Sequence, residues 1–277
     1  MPIATKVADR IASGLKRFQP ILIAAKSRDV NESDTSMIVT DMMAELLGYD
    51  KYTELTKELT IKGTYCDLAT RIEGKIQMII EIKAIGVELK ESHFKQAVDY
   101  AANQGIEWVA LTNGHIWKVF KVTFTQPINA ELVLELDMFS LNPKDKNHVE
   151  SIYLLTRESM LKSGLYAYYD QSQATNKFDL AAVVLSEPVL DSVRREIRRL
   201  YPDVRIQIDD LRTAIIEEVL KREVIEGEKA EAARKKVQKS MGKLLKTRKK
   251  KGESPSLVPE ADLSEEHKAK HDTSMPG

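Results

Sequence analysis

The spacing of apolar residues changes twice along the chain. Over the first thirty residues Val7, Ile11, Leu15 and Phe18 recur at helical spacing until Pro20 interrupts them, which predicts an amphipathic helix bracing a core. The stretch "NESDTSMIVTDMMAELLGYD" predicts a second helix. Asn31, Ser33 or Asp34 can cap it, Met37, Ile38, Met42, Leu46 and Leu47 form its buried stripe, and Gly48 ends it. From Tyr52 to Lys121 the period shortens, and "ELTIKG", "YCDLATRI", "IQMIIEIKAIG", "WVALTNG" and "HIWKVFKV" read as strands. Between the third and fourth lies a helix, "KESHFKQAVDYAANQG", with Phe94, Ala97, Val98 and Ala101 inward and Gly105 as its stop. "EGK" is a hairpin turn of residues 73–75 in which Gly74 can take positive φ, and Asn113-Gly114 marks the last hairpin. Helix, three strands, helix, two strands predicts a compact α/β unit with a mixed central sheet.

After Asp137 the pattern loosens, and "SLNPKDKN" marks a boundary. Residues 1–140 are expected to form the core domain, 141–227 a mainly helical accessory region, and 228–277 a charged helix fading into a tail. "HVESIYLLTRESMLKSG", "EPVLDSVRREIRRLYP" and "DDLRTAIIEEVLKREVI" read as helices, with Pro188 in a first turn and Asp209 as a cap. "FDLAAVVL" and "VRIQI" read as short strands. Past Gly252 the chain carries too little apolar surface to fold alone.

Composition narrows the class. Of 277 residues, 43% are hydrophobic and 30% charged, the balance of a soluble globular protein with charged extensions. No apolar run approaches the about 18 residues of a membrane span, so a cytoplasmic location and no membrane contact are expected. The single cysteine, Cys66, excludes an intramolecular disulfide and any thiolate-rich zinc or iron–sulfur site within one chain. The histidines His93, His115, His148, His267 and His271 show no ligand spacing.

A net charge of zero conceals an asymmetry: residues 234–251 contain ten Lys or Arg and no acidic residue. Lys235, Lys236, Lys239, Lys243, Lys246 and Arg248 are candidate nucleic-acid contacts, whose affinity would be independent of sequence and weakened by salt. Val237, Met241, Leu244 and Leu245 stripe the same helix, so self-association or docking to a partner also fits, as does a solubilising tail.

The candidate chemistry lies in the third strand. Glu81 and Lys83 are two residues apart and share a face. With the "EGK" turn, Asp67 falls opposite Glu81, whereas a one-residue slip would separate them. Two carboxylates and a lysine then converge on a site suited to Mg2+ or Mn2+, which accept oxygen ligands, keep waters and take a substrate phosphate. Glu-x-Lys alone is unspecific, recurring at Glu88–Lys90 and Glu266–Lys268, and an edge strand with a solvated Glu–Lys face would carry it too.

Residues 30–122, with "YCD", "EIK" and "QAVDY" in that order, resemble the N-terminal nuclease domain of type I restriction enzyme restriction subunits, a branch of the PD-(D/E)xK nuclease superfamily. The resemblance implies a restriction-endonuclease-like core that cleaves DNA with magnesium. It makes Asp67 and Glu81 metal ligands, Lys83 catalytic, Gln96 and Tyr100 the Q-x-x-x-Y pair, and Glu32 the acidic residue of the first core helix. Gln96 and Tyr100, at i and i+4, share a helix face and suit contact with a backbone phosphate or bracing of the site, or else ordinary helix surface. Glu32 could equally serve the helix dipole. No G-x-x-x-x-G-K-[ST] loop occurs, so no nucleoside triphosphate site is expected. The expected function is therefore a metal-dependent endonuclease on DNA, a stand-alone relative of those nuclease domains. The alternative is a non-catalytic nucleic-acid-binding or assembly module of the same fold. Nothing in the residues separates DNA from RNA, and cutting both strands with one site per chain favours a homodimer or a partner subunit.

Overall fold

The computed structural model describes residues 3–61 and 64–251, without the side chains of residues 58–61, 64, 65, 91, 96 and 243–251. Two compact units divide the chain, residues 1–173 and 174–277.

The first unit opens with α1 (Thr5–Ser27), which runs unbroken through Pro20. Pro20 is exposed, so the carbonyl it leaves without a helix donor meets water, while Val7, Ile11, Leu15, Phe18, Leu22 and Ala25 pack inward on both sides of it. That continuous stripe outweighs a local cost of about 3 kcal/mol. Helix α2 (Glu32–Glu45) is capped by the Asn31 side chain, which accepts from Asp34 N. Its far end is closed by Gly48 at φ +83°, where a Cβ would strike the Arg10 guanidinium. Arg10 fills that space, donating to the Leu46 and Leu47 carbonyls and to both Glu158 oxygens at 2.7 Å.

Six strands follow in sheet order: β1 (Leu55–Ile61), β2 (Thr64–Ile72), β3 (Lys75–Ile82), β4 (Trp108–Thr112), β5 (Ile116–Thr123) and β6 (Asn129–Asp137). All pairs are antiparallel except β3–β4, which are parallel because α3 (Glu91–Gln104) carries the chain between them. The sheet is mixed and flanked by helices, as the order of elements predicts. β6 is an edge strand that the strand count above omits; its Leu134 and Leu136 are buried while Leu132 and its glutamates face outward.

Alternation along the strands builds two cores. Leu68, Ile80, Ile82, Trp108, Ala110, Trp117 and Val119 pack against α1 and α2. Ala69, Ile79, Val109, Leu111, Phe120 and Val122 pack with Phe94, Ala97 and Ala101 of α3. The unit extends past residue 140 through α4 (Lys146–Tyr153), α5 (Arg157–Leu161) and α6 (Gly164–Ala174). Tyr166 and Tyr169 of α6 meet the Trp108 indole edge-on at 5.2 and 6.3 Å, which attaches this helix to the sheet. The helix read from His148 to Gly164 is two, because the buried Thr156 side chain accepts from Ser159 N and starts α5 anew.

The second unit is helical: α7 (Lys177–Val184), α8 (Glu187–Leu200), α9 (Ile208–Ala214), a π-helical turn (Ile215–Val219), α10 (Arg222–Ile225) and α11 (Glu228–Lys251). "FDLAAVVL" is thus helix α7 and not a strand. Asn176 accepts from Phe178 and Asp179 N and commits the run to a helix, a choice that a short apolar run leaves open. "VRIQI" forms no strand either; it leads into α9, whose N-cap is Gln207, with Asp209 one residue inside the first turn. No helix among the described residues is long and apolar enough to cross a membrane.

Candidate active site

The geometry of the site is set by the β2–β3 hairpin. Its turn is the two residues Glu73-Gly74, at φ +51° and +79°, because Ile72 pairs with Lys75. Gln77 then bulges out of β3: Arg71 pairs with Ile76 but Thr70 with Met78. A two-residue turn plus one bulged residue gives the same register as the three-residue turn read from sequence. Leu68 accordingly pairs with Ile80, and the next step sets Asp67 level with Glu81.

Backbone pairing stops there, and a side chain takes over. Asp67 Oδ2 accepts from the backbone N–H of Ile82 at 2.6 Å. Glu81 is buried, and its Oε1 accepts from Lys83 Nζ at 2.8 Å. Lys83 Nζ also lies 3.5 Å from Glu32 Oε2 at the first residue of α2. Asp67, Glu81, Lys83 and Glu32 are therefore brought together.

Two anchors fix the lysine. Its backbone N–H donates to Thr112 O at 2.8 Å, extending the parallel pairing beyond β3. Two residues on, Ile85 N donates to the buried Thr35 Oγ1 at 3.1 Å. Thr35 is one helical turn after Glu32, so α2 holds the loop with one residue and reaches Lys83 with the other. Sequence alone does not single out Thr35; its one signal is a threonine among the apolar residues of an amphipathic helix.

Three carboxylates face one ammonium. Burial, with the charges of Asp67 and Glu32 added, raises the Glu81 pKa against the opposing pull of the Lys83 hydrogen bond. Burial works against the charge on Lys83 as well, but the Glu81 hydrogen bond and the charges of Glu81, Glu32 and Asp67 outweigh it, and its pKa is raised. Lys83 is thus a fixed cation rather than a base. Asp67 Oδ1 and Glu81 Oε2 have no hydrogen-bond partner among the described residues. An all-oxygen donor set with surplus negative charge suits a hard divalent cation. Among the described residues no three His, Cys, Asp or Glu side chains gather as a metal cluster, so the protein would offer two carboxylates, as magnesium commonly accepts.

The Q-x-x-x-Y pair divides. Gln96 is on α3, but its side chain lies outside the described residues. Tyr100 is 2% exposed, packed beneath α3 near Cys66, and its hydroxyl has no hydrogen-bond partner among the described residues. The helical stripe of Phe94, Ala97 and Ala101 turns it toward the sheet, a position that suits bracing of the site.

A cavity of about 340 Å³ borders the loop after Lys83, lined by residues 85–89 with Lys26, Asn113, His115 and Lys118, but by none of the site residues. The buried His115 holds its Nδ1 2.7 Å from Asn113 Oδ1, an acceptor, so its Nε2 accepts from Lys26 Nζ at 2.5 Å. Burial and the Lys26 charge push its pKa down to about 4.

On α11, Ala230, Ala233 and the half-buried Val237 and Met241 form a stripe, and this helix packs on α7 within its own unit. Lys236 pairs with Asp179 of α7, while Lys235 and Lys239 are exposed. The side chains of Lys243, Leu244, Leu245, Lys246 and Arg248 lie outside the described residues.

Residues 38–133 match the family model of the type I restriction enzyme R protein N terminus. The match covers roughly a third of the chain, from within α2 into β6, and includes Asp67, Glu81, Lys83, Gln96 and Tyr100. Glu32 and Thr35 lie just before it. The mixed sheet with its flanking helices is consistent with a restriction-endonuclease-like domain. No curated protein and no solved structure matches the chain. The restriction-subunit match points to a nuclease-related role for the first unit.

Proposed function

We propose that this protein is a metal-dependent endonuclease that hydrolyses DNA phosphodiester bonds at Asp67, Glu81 and Lys83. The observation that carries the reading is the meeting of Asp67 and Glu81 at the end of the β2–β3 pairing, each with an oxygen that no described residue engages, beside a lysine held in its charged form. Their order and spacing within the restriction-subunit match support it.

Asp67 and Glu81 would hold Mg2+ or Mn2+, which supplies charge neutralisation at the scissile phosphate and a bound water of lowered pKa. Lys83, tethered by Glu81 and Glu32, presents its ammonium to the negative charge that develops on the phosphoryl oxygens. The bond from Asp67 to Ile82 N keeps the aspartate aimed at the strand end. Thr35 keeps the loop that follows in place. DNA is the partner, and one site per chain calls for a second copy or a partner subunit to cut both strands.

Incubation of the purified chain with supercoiled plasmid, linear duplex, single-stranded DNA and RNA, in magnesium, manganese or chelator, tests the reading. Cutting of DNA only with metal is expected. DNA that is retained but never cut would move the function to a non-catalytic binding module.

A further inference from the structure

Within the second unit, helix α8 has its apolar stripe of Val189, Leu190, Val193 and Ile197 at least half-buried, with Leu190 fully so. The stripe overruns its support. Leu200 is 74% exposed, and Tyr201 and Val204 in the following turn are 60% and 52% exposed. Around them stand Arg194, Arg195, Arg198, Arg199 and Arg205. Arg198 and Arg205 make no ion pair or hydrogen bond with a described residue. Among the described residues Arg199 pairs only with Glu196, three residues back, and Arg195 only with the Ser192 hydroxyl at 3.1 Å. Exposed partners of this kind are given up at little cost.

We propose that the C-terminal end of α8, with Arg195, Arg198, Arg199, Arg205 and Tyr201, is a docking face for single-stranded DNA. The proposal rests on the nuclease reading for its choice of polyanion. Every cation in this patch is arginine, whose planar fork matches a phosphate, whereas the exposed cations described on α11 are lysines apart from Arg234, which donates to the Ile225 carbonyl. An exposed tyrosine among arginines offers a flat face on which an unpaired base stacks, and Leu200 and Val204 widen that apolar platform. Duplex DNA hides its base faces and would use the arginines alone.

The test is fluorescence anisotropy of the full chain in chelator, with a labelled single strand and with its duplex, over a salt series. Arg198→Gln/Arg199→Gln is expected to lower the slope of log affinity against log salt for the single strand by about 1.4, two contacts at about 0.7 each. Tyr201→Ala is expected to weaken the single strand about tenfold and to leave the salt slope and the duplex unchanged. Tyr201→Phe, which keeps the ring, should bind as the parent does. Parent-like binding by the arginine and Tyr201→Ala variants would overturn the proposal. So would loss confined to Lys235→Gln/Lys239→Gln, or co-sedimentation with phosphatidylserine vesicles in place of DNA binding. Binding in chelator does not depend on cutting: a chain that binds through α8 but never cleaves overturns the nuclease reading alone, and cleavage with α8 silent overturns only this one.

Discussion

Lys83 Nζ lies 2.8 Å from Glu81 Oε1, two residues back along the same strand end, and this pair holds opposite charges beside Asp67 and Glu32. The two sides of the pair respond differently to burial. Glu81 has a raised pKa, so its folded-state value lies above its unfolded one, and its contribution to stability is full below the unfolded value and lost as pH rises through the folded one. At neutral pH without metal, Glu81→Gln should therefore melt no lower than the parent. Added manganese should raise the melting temperature of the parent and not of the variant. Calorimetric scans with and without metal check both; a variant that melts well below the parent would contradict the assignment.

Removing the lysine separates metal binding from chemistry. Lys83→Ala leaves three carboxylates without their neighbouring cation, so manganese should bind more tightly while cleavage falls by about a hundredfold or more. Titration calorimetry and single-turnover cleavage measure the two effects. Loss of metal affinity in Lys83→Ala would contradict a purely electrostatic lysine.

The loop anchor has its own signature. Thr35→Val removes the acceptor for the buried Ile85 N–H and should cost about 1–3 kcal/mol of stability, with a lower cleavage rate, whereas Thr35→Ser restores both. Urea unfolding and cleavage at saturating substrate decide it.

The hairpin shows how far the sequence was legible. A three-residue turn predicts Asp67 opposite Glu81, and the structure reaches that register by a two-residue turn and the Gln77 bulge, two departures that cancel. The lysine was legible because strand alternation alone puts positions 81 and 83 on one face. Thr35 was not, because its role depends on a loop fifty residues away in sequence. Pro20 reads locally as a break, and the buried residues on either side of it carry the helix through. α7 misled because eight apolar-rich residues carry no period, and the Asn176 cap was the deciding sign.

Tyr100 yields a sharp expectation. Its hydroxyl is buried without a partner among the described residues, so Tyr100→Phe should leave cleavage unchanged and stability equal or slightly higher. A large fall in cleavage with intact stability would mean that the hydroxyl reaches the substrate.

His115 contributes to acid sensitivity. Its folded pKa, about 4, is depressed below the ordinary value near 6.5, so its contribution is full above the unfolded value and lost as pH falls toward the folded one. Its part in the loss of stability between about pH 6.5 and 4 is on the order of 2–3 kcal/mol. His115→Gln should flatten that part of the stability profile, as read from urea midpoints across the range.

The central claim is tested most directly by single-turnover cleavage of one DNA substrate by the parent, Asp67→Ala and Glu81→Gln, each in magnesium and in chelator, with circular dichroism confirming that all three are folded. The expected result is cutting by the parent in magnesium alone and by neither variant. Cutting that persists in either folded variant, or in chelator, would contradict a metal site built on Asp67 and Glu81.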